Sequence, residues 1–510
     1  MAFLQACRAA GMDTCIANPG TTELAFVRAF DHVPGWRVVP ALFEGVCTGA
    51  ADGYGRMARR PALTLTHLGP GFANGIANLH NARRARSPIV NVIGDHTSAH
   101  LPFDAPLTSD IDSLARPVSA WVAHLDDAAH AARIGREAVQ QALASGGQTA
   151  SVVFRADAQA AAAPAVVPGA GVLAVPQRAG VAPAAVQEAL RRLRQGRTLL
   201  LVGGDALGEQ GLCAAQRIAV QTGAALYCET FPARIERGGG LPAPERFPYF
   251  PEPAFALVQG FDTVLVAGAL EPVTYFGYAQ FPSRIVEPHR LHMLAGACDA
   301  AGDALSALAD ALGCAAWVPA PMQAPRVLPD GAMDGAAAAR AVAAWLPQDA
   351  IVSVEGGTMG YPFFTASASS ARHTVMTNTG GAIGQGLPVA VGAALACPGR
   401  RVVCVQSDGS AQYTLQALWT MARERLPVTV VIAANQRYGV LQNELVRDGV
   451  KVIAGAAAAL TSLADPSLDW VALARGYGVP GAAVRDGGAL REALDASLAV
   501  AGPYLVEVLL

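Results

Sequence analysis

The sequence predicts an α/β protein built from three doubly wound, parallel-sheet domains. Short apolar runs that read as buried strands alternate with helical stretches along the whole chain. Two Ala-, Pro- and Gly-rich stretches, "ADAQAAAAPAVVPGAGVLAVPQ" (156–177) and "AAWVPAPMQAPRVLPDG" (315–331), interrupt that alternation. At 510 residues the chain is also too long for a single core. The first linker has no sustained periodicity, and its prolines are expected to bar a helix. The linkers leave domains at 1–157, 178–314 and 331–510, each of ordinary domain size. No short-period repeat is visible, which argues against a solenoid.

Taken in order, "MAFLQACRAAGMDTC" reads as an amphipathic helix, too short and too quickly polar for a signal peptide. The first domain contains the strand-like runs "ALTLTHL" and "IVNVIGD". The second contains "TLLLVGGD" and "TVLVAGA", and the third "IVSVEGG". In the middle domain "LVGGDALGEQG" (Leu201–Gly211) resembles a strand, glycine loop and helix for a nucleotide. It lacks the full G-x-G-x-x-G, and no acidic ribose partner is evident at the next strand, so a connecting loop is the favoured reading.

Composition removes several function classes. The chain is 52% apolar and 15% charged, yet no uninterrupted apolar run spans a bilayer. A net charge of −3, with no basic cluster interleaved by aromatics, gives no footprint for nucleic acid. The nine cysteines are scattered, with no C-x-x-C pair, as expected of buried thiols in a reducing, cytoplasmic compartment.

The third domain carries the most specific pattern. "RVVCVQ" before Asp408 and "VTVVIAA" before Asn435 read as buried parallel strands. The intervening "YTLQALWTMARERL" has Leu415, Leu418, Trp419 and Ala422 at helical spacing. A right-handed crossover then brings both strand ends to one sheet edge, where ligands bind in open α/β sheets. Asp408 and Asn435 offer hard oxygen donors to a small divalent cation. The Gly409-Ser410 turn offers backbone N–H groups to a phosphate. Upstream, "TNTGGAIGQGLPVAVGAALA" (Thr377–Ala396) is a glycine run ending in a helix.

The first domain carries "ANPGTTE" (Ala17–Glu23), "LFEGVCTGAADGYGR" (Leu42–Arg56) and "THLGPGFANG" (Thr66–Gly75). Glu44 precedes a face of small residues, Gly45, Thr48, Gly49, Ala50 and Gly53. That face suits either a flat ligand or tight helix packing, with about even weight. His67 ends a strand, where a hydrogen-bonded structural histidine is the commoner reading.

Together, in this order and at these spacings, the motifs resemble the thiamine diphosphate enzymes of the acetolactate synthase and benzoylformate decarboxylase group. The resemblance spans essentially the whole chain. It implies that the three domains are pyrimidine-binding, middle and diphosphate-binding. Asp408 and Asn435, with the Arg437 carbonyl, are implied to hold Mg²⁺ against the diphosphate. Glu44 is implied to hydrogen-bond N1′ of the aminopyrimidine and so to activate C2 of the thiazolium. The Gly381 carbonyl is implied to take the 4′-amino group, and Ile383 to hold the cofactor bent. Gly20, Thr21, Asn74, Thr358, Gly409, Ser410, Tyr438 and Gly439 complete the implied cofactor contacts. The sequence departs from the family twice, with Ser407 for a glycine and Ala434 for an asparagine.

His67 matches a histidine that the decarboxylases use for proton transfer, and Thr21 a hydroxyl that contacts the substrate carboxylate. Their second histidine has no match: "LEPVTYFGY" (Leu270–Tyr278) offers only Tyr275 and Tyr278. The "GPG" after Leu68 looks more like an acetolactate synthase. The resemblance therefore implies a 2-oxo acid decarboxylase or carboligase whose enamine gives an aldehyde or a 2-hydroxy ketone. True acetolactate synthase is the alternative, and a non-catalytic thiamine diphosphate-binding or regulatory subunit the reading from another class. A homodimer at minimum, and a homotetramer, follow from the family, with small-molecule 2-oxo acid and aldehyde as partners. Flavin is not expected to serve the reaction, although the middle domain leaves FAD binding open.

Overall fold

Six strands build the N-terminal sheet: β1 (Thr14–Asn18), β2 (Arg37–Pro40), β3 (Ala62–Thr66), β4 (Ile89–Asp95), β5 (Trp121–Leu125) and β6 (Thr149–Arg155). All pair in parallel, in the order β2-β1-β3-β4-β6-β5. The computed structural model describes residues 1–164, 173–319, 331 and 333–510. Residues 165–172 of the first linker and 320–330 of the second lie outside them. The N-terminal helix Ala2–Ala9 buries Phe3, Leu4 and Cys7, as its amphipathic pattern predicts. One linker expectation fails. Ala156–Ala160 is helical, because the alanine-rich start of that stretch precedes its first proline at Pro164.

The described chain forms two compact units. The second unit begins at Gln177 and also takes Thr365–Thr377. Its strands are β7 (Thr198–Val202), β8 (Ala225–Cys228), β9 (Ile235–Arg237), β10 (Glu245–Arg246), β11 (Thr263–Ala267) and β12 (Leu291–Ala295). Five of them form a parallel sheet, β10-β8-β7-β11-β12. An acidic residue does stand after the second of these strands, bound to the glycine loop itself. Glu229 follows β8, and its Oε1 accepts the N–H of Gly204 at 2.9 Å.

The first unit contains the N-terminal sheet and a C-terminal one. The latter orders β13 (Ala350–Val354), β15 (Val402–Ser407), β16 (Val428–Ala434), β17 (Gly481–Val484) and β18 (Tyr504–Leu509) as β17-β18-β16-β15-β13, all parallel. The remaining strand, β14 (His373–Thr377), pairs with β9 in the second unit and is antiparallel, an exception to the all-parallel expectation. Central β16 is buried along its whole length, which is why its sequence is a continuous apolar run rather than an alternating one.

Helix Glu44–Ala58 packs on helix Gly386–Ala396, which is apolar all round and buried from Gly386 to Leu395. A side chain at Gly53 would strike the Val389 carbonyl, and one at Gly392 the Ala50 carbonyl. The small-residue face after Glu44 therefore serves helix packing. Its glycines let two backbones meet.

Candidate active site

The first cluster grows from the adjacent strands β1 and β3, whose ends pair at Asn18 and Thr66. The chain beyond each end is thereby brought together. Gly20 lies so close to the His67 ring that any Cβ at Gly20 would overlap it. Glu23 is wholly buried. Its Oε2 accepts the Gly20 N–H at 2.7 Å and faces His67 Nδ1 at 2.8 Å, while Oε1 accepts the Thr22 hydroxyl. The Gly20 N–H and the Thr22 hydroxyl both donate to this carboxylate, and the tautomer that completes the set is the one with the His67 proton on Nδ1. Nε2 is then the nitrogen left to exchange one. His67 follows β3 immediately before Leu68, whose left-handed backbone (φ 52) turns the chain sharply into helix Leu68–Ala85. Such a conformation in a non-glycine residue costs about 1–2 kcal/mol and clusters at functional sites.

Glu44 opens its helix, where the dipole favours a negative charge, and is 7% exposed. Asn74 donates to its Oε2 at 3.0 Å. Gly71, Asn74, Asn78 and Asn81 recur on one face of helix Leu68–Ala85. Asn78 donates to the Gly45 carbonyl at 2.8 Å and Asn81 to the Ala382 carbonyl at 2.8 Å. This asparagine face links the Glu44 helix to the loop that carries Gly381 and Ile383. Thr21 is exposed at the rim.

The second cluster stands at the ends of β15 and β16, which pair from Val402 with Val428 through Ser407 with Ala433. The crossover prediction holds: Asp408 and Asn435 meet at one edge. Asp408 accepts Gly409 N–H at 2.8 Å and Gln436 N–H at 2.6 Å. Asn435 donates to the Thr358 hydroxyl at 2.9 Å, which orients its Oδ1, and that oxygen accepts Arg437 N–H at 3.2 Å. Burial pushes the Asp408 carboxyl up, against the pull of these backbone N–H groups. The Asp-Gly-Ser segment is a short helix, Asp408–Ala411, rather than a bare turn, and the helix after it is confined to Ala417–Arg423. Tyr438 packs against Gly409, and Gly439 sits beside the Asn435 amide. Ser407 adopts ordinary extended backbone, and its hydroxyl occupies the space that a side chain at Gly356 would need. The family departure at Ser407 is thus accommodated.

Among the described residues, no group of three or more His, Cys, Asp and Glu side chains could hold a metal ion. A cation at this edge would have to be completed by amide and carbonyl oxygens, and Asn435 Oδ1 is a side-chain oxygen of that kind beside Asp408. One carboxylate with neutral oxygens suits Mg²⁺ that also takes oxygens from a diphosphate. Gly381 (φ 75) has open space where a Cβ would stand, and Ile383 is 44% exposed, so both positions of the loop are accessible. No hydrogen bond or ion pair among the described residues joins Glu44 directly to Asp408 or Asn435. Tyr275 belongs to the second unit, in an aromatic group with Phe231 and Tyr249. Asn74 was among the residues implied from the sequence, whereas Glu23, Glu355, Asn78 and Asn81 were not singled out there.

Two family models match the chain: the N-terminal TPP binding domain of thiamine pyrophosphate enzymes over residues 1–115, and the C-terminal TPP binding domain over residues 340–508. A Mycobacterium tuberculosis protein named "Putative acetolactate synthase large subunit IlvX" is 46% identical over 98% of this chain and 96% of its own length. The chain belongs to the thiamine pyrophosphate enzyme family. Benzoylformate decarboxylase of Pseudomonas aeruginosa is 31% identical, over 98% of this chain and 96% of that one. Among solved structures, the thiamine diphosphate-dependent 4-hydroxybenzoylformate decarboxylase of Rhodococcus jostii matches with a TM-score of 0.86 and 25% identity. The match covers 99% of this chain and 98% of that one. This thiamine pyrophosphate enzyme therefore has both acetolactate synthase-like and benzoylformate decarboxylase-like relatives. Among the described residues no helix is long and apolar enough to cross a membrane.

Proposed function

We propose that this thiamine pyrophosphate enzyme is a Mg²⁺-dependent 2-oxo acid decarboxylase or carboligase that releases an aldehyde or joins the acyl unit to an aldehyde as a 2-hydroxy ketone. The observation that carries it is His67, held by Glu23 within the cluster that also contains Glu44. Bound thiamine diphosphate supplies the electron sink for loss of CO₂ from a 2-oxo acid. Glu44 holds the proton at the pyrimidine nitrogen, and Asn74 keeps the carboxylate aimed. His67 Nε2 gives or takes the proton that decides between aldehyde release and carboligation. Asp408, Asn435 and the Arg437 carbonyl hold Mg²⁺, while Gly409 and Ser410 contact the diphosphate. Gly20, Thr21, Thr358, Gly381, Ile383, Tyr438 and Gly439 line the remaining cofactor surface. We read the domains as 1–157, 178–314 and 331–510, and the active form as a cytoplasmic homodimer or homotetramer whose sites each draw on two chains.

True acetolactate synthase is the second reading, favoured by the name of the Mycobacterium tuberculosis relative. Product analysis with a panel of 2-oxo acids, with and without added aldehydes, separates them. Acetolactate from pyruvate alone would establish the second reading. No turnover of any 2-oxo acid by cofactor-loaded protein would leave only a binding or regulatory subunit.

A further inference from the structure

Glu355 follows β13, three residues before Thr358, and is 3% exposed. Five N–H donors converge on its carboxylate. Oε1 accepts Asn378 Nδ2 at 3.1 Å, Gly384 N at 2.9 Å and Gln385 N at 3.2 Å. Oε2 accepts Gly386 N at 2.7 Å and Gln406 Nε2 at 2.8 Å. Donors on every side require the ionised form. Burial pushes this carboxyl up while the N–H groups draw it down. Three of the donors are successive amides at the entry to helix Gly386–Ala396, which would otherwise be orphaned, and the helix dipole adds to their pull.

The loop held this way is tied at alternate carbonyls. Gly380 O lies 3.1 Å from His80 Nε2. Ala382 O accepts from Asn81 at 2.8 Å and from Asn378 at 2.9 Å. Gly384 O accepts from Thr414 at 2.8 Å. Asn378 Oδ1 accepts Gly381 N–H at 2.8 Å. The Gly381 carbonyl itself makes no hydrogen bond among the described residues. Gln406 extends the network in the other direction, since its Oε1 accepts the Ser410 hydroxyl and the Ser407 N–H. One buried carboxylate thus stands between the Asp408–Ser410 segment and the Gly381–Ile383 segment.

We propose that Glu355 is a positioning residue for the cofactor. By clamping the amides of Gly384, Gln385 and Gly386 it presets the free Gly381 carbonyl and the Ile383 side chain at a fixed distance from the diphosphate-binding edge. The inference rests on the thiamine diphosphate site proposed above. A carboxamide at this position cannot replace the carboxylate. Whichever way it is turned, its NH₂ faces two or three N–H donors, and those donors lose their acceptor.

The test compares full-length wild type with Glu355→Gln in two measurements. Amide hydrogen exchange is followed at residues 380–386 against the core of β15, without cofactor. Thiamine diphosphate with Mg²⁺ is then titrated into each protein. Glu355→Gln should speed exchange in the loop by about tenfold or more relative to β15, and weaken cofactor affinity by about tenfold or more. A loop that exchanges as in wild type overturns the clamp. A loosened loop with wild-type affinity overturns the positioning role. Should Glu355→Gln fail to fold, Asn378→Ala removes one donor and the clasp on Gly381, and the same pair of changes is required of it. Failure of the wild-type chain to bind the cofactor would instead refute the functional reading.

Discussion

His67 Nδ1 lies 2.8 Å from Oε2 of Glu23, a wholly buried carboxylate that lies against Gly94 of β4. The pair orients the imidazole, and a carboxylate at Nδ1 favours the tautomer that carries its proton there. His67→Ala should lower turnover per cofactor-loaded site by about 10²-fold while cofactor affinity stays close to wild type. Glu23→Gln should cost less, about tenfold, and add little in the double variant, since both act on one proton. Turnover per loaded site is compared with melting temperature. Normal turnover with a lowered melting point would make the histidine structural and favour the acetolactate synthase reading.

Glu44 is shielded, aimed by Asn74, and placed at a helix start. Glu44→Gln preserves size and the hydrogen-bonding reach but cannot share the pyrimidine proton. Cofactor should bind nearly normally, while C2–H exchange, read by proton NMR, slows by about 10²-fold or more. Wild-type exchange in the variant would remove this role.

Asp408 is the carboxylate on which the proposed metal site rests. Asp408→Ala should reduce affinity for thiamine diphosphate by about 10²-fold, and the remaining binding should no longer respond to Mg²⁺. Titration of the apo-protein with and without Mg²⁺ measures both. Unchanged, Mg²⁺-responsive affinity would move the metal elsewhere.

How much of this was legible depends on where the partners lie. β15, β16 and the Asp408–Asn435 pair could be read because local apolar runs and one crossover fix their geometry. The Gly45–Gly53 face was ambiguous, because close packing and ligand contact select the same small residues. The Glu23–His67 pair needed the β1–β3 adjacency, a long-range fact that local pattern does not carry. Glu355 left no signature at all. Three of its donors are backbone N–H groups about thirty residues away, and backbone groups have no letter in a sequence.

A last prediction concerns stability rather than catalysis. His373, on β14, is fully buried and its Nδ1 lies 2.8 Å from the Ala371 carbonyl. Burial lowers its pKa from 6.5 to about 4, with Arg237 pushing the same way and Glu236 opposing. The native state therefore holds a neutral imidazole, whereas the unfolded chain takes up a proton once the pH falls below its ordinary value. The stability tied to that difference is present above pH 6.5 and drains away as the pH falls toward 4. Its full size is about 3 kcal/mol, at roughly 1.4 kcal/mol per pH unit. His373→Gln keeps a side-chain donor but does not titrate. Its melting temperature should be lower than wild type at pH 7, yet fall less steeply between pH 6.5 and 4, so the gap closes on acidification. Carboxylates titrating in the same window contribute to both proteins alike and cancel in the comparison. Parallel melting profiles for the two proteins would show that His373 carries no proton linkage.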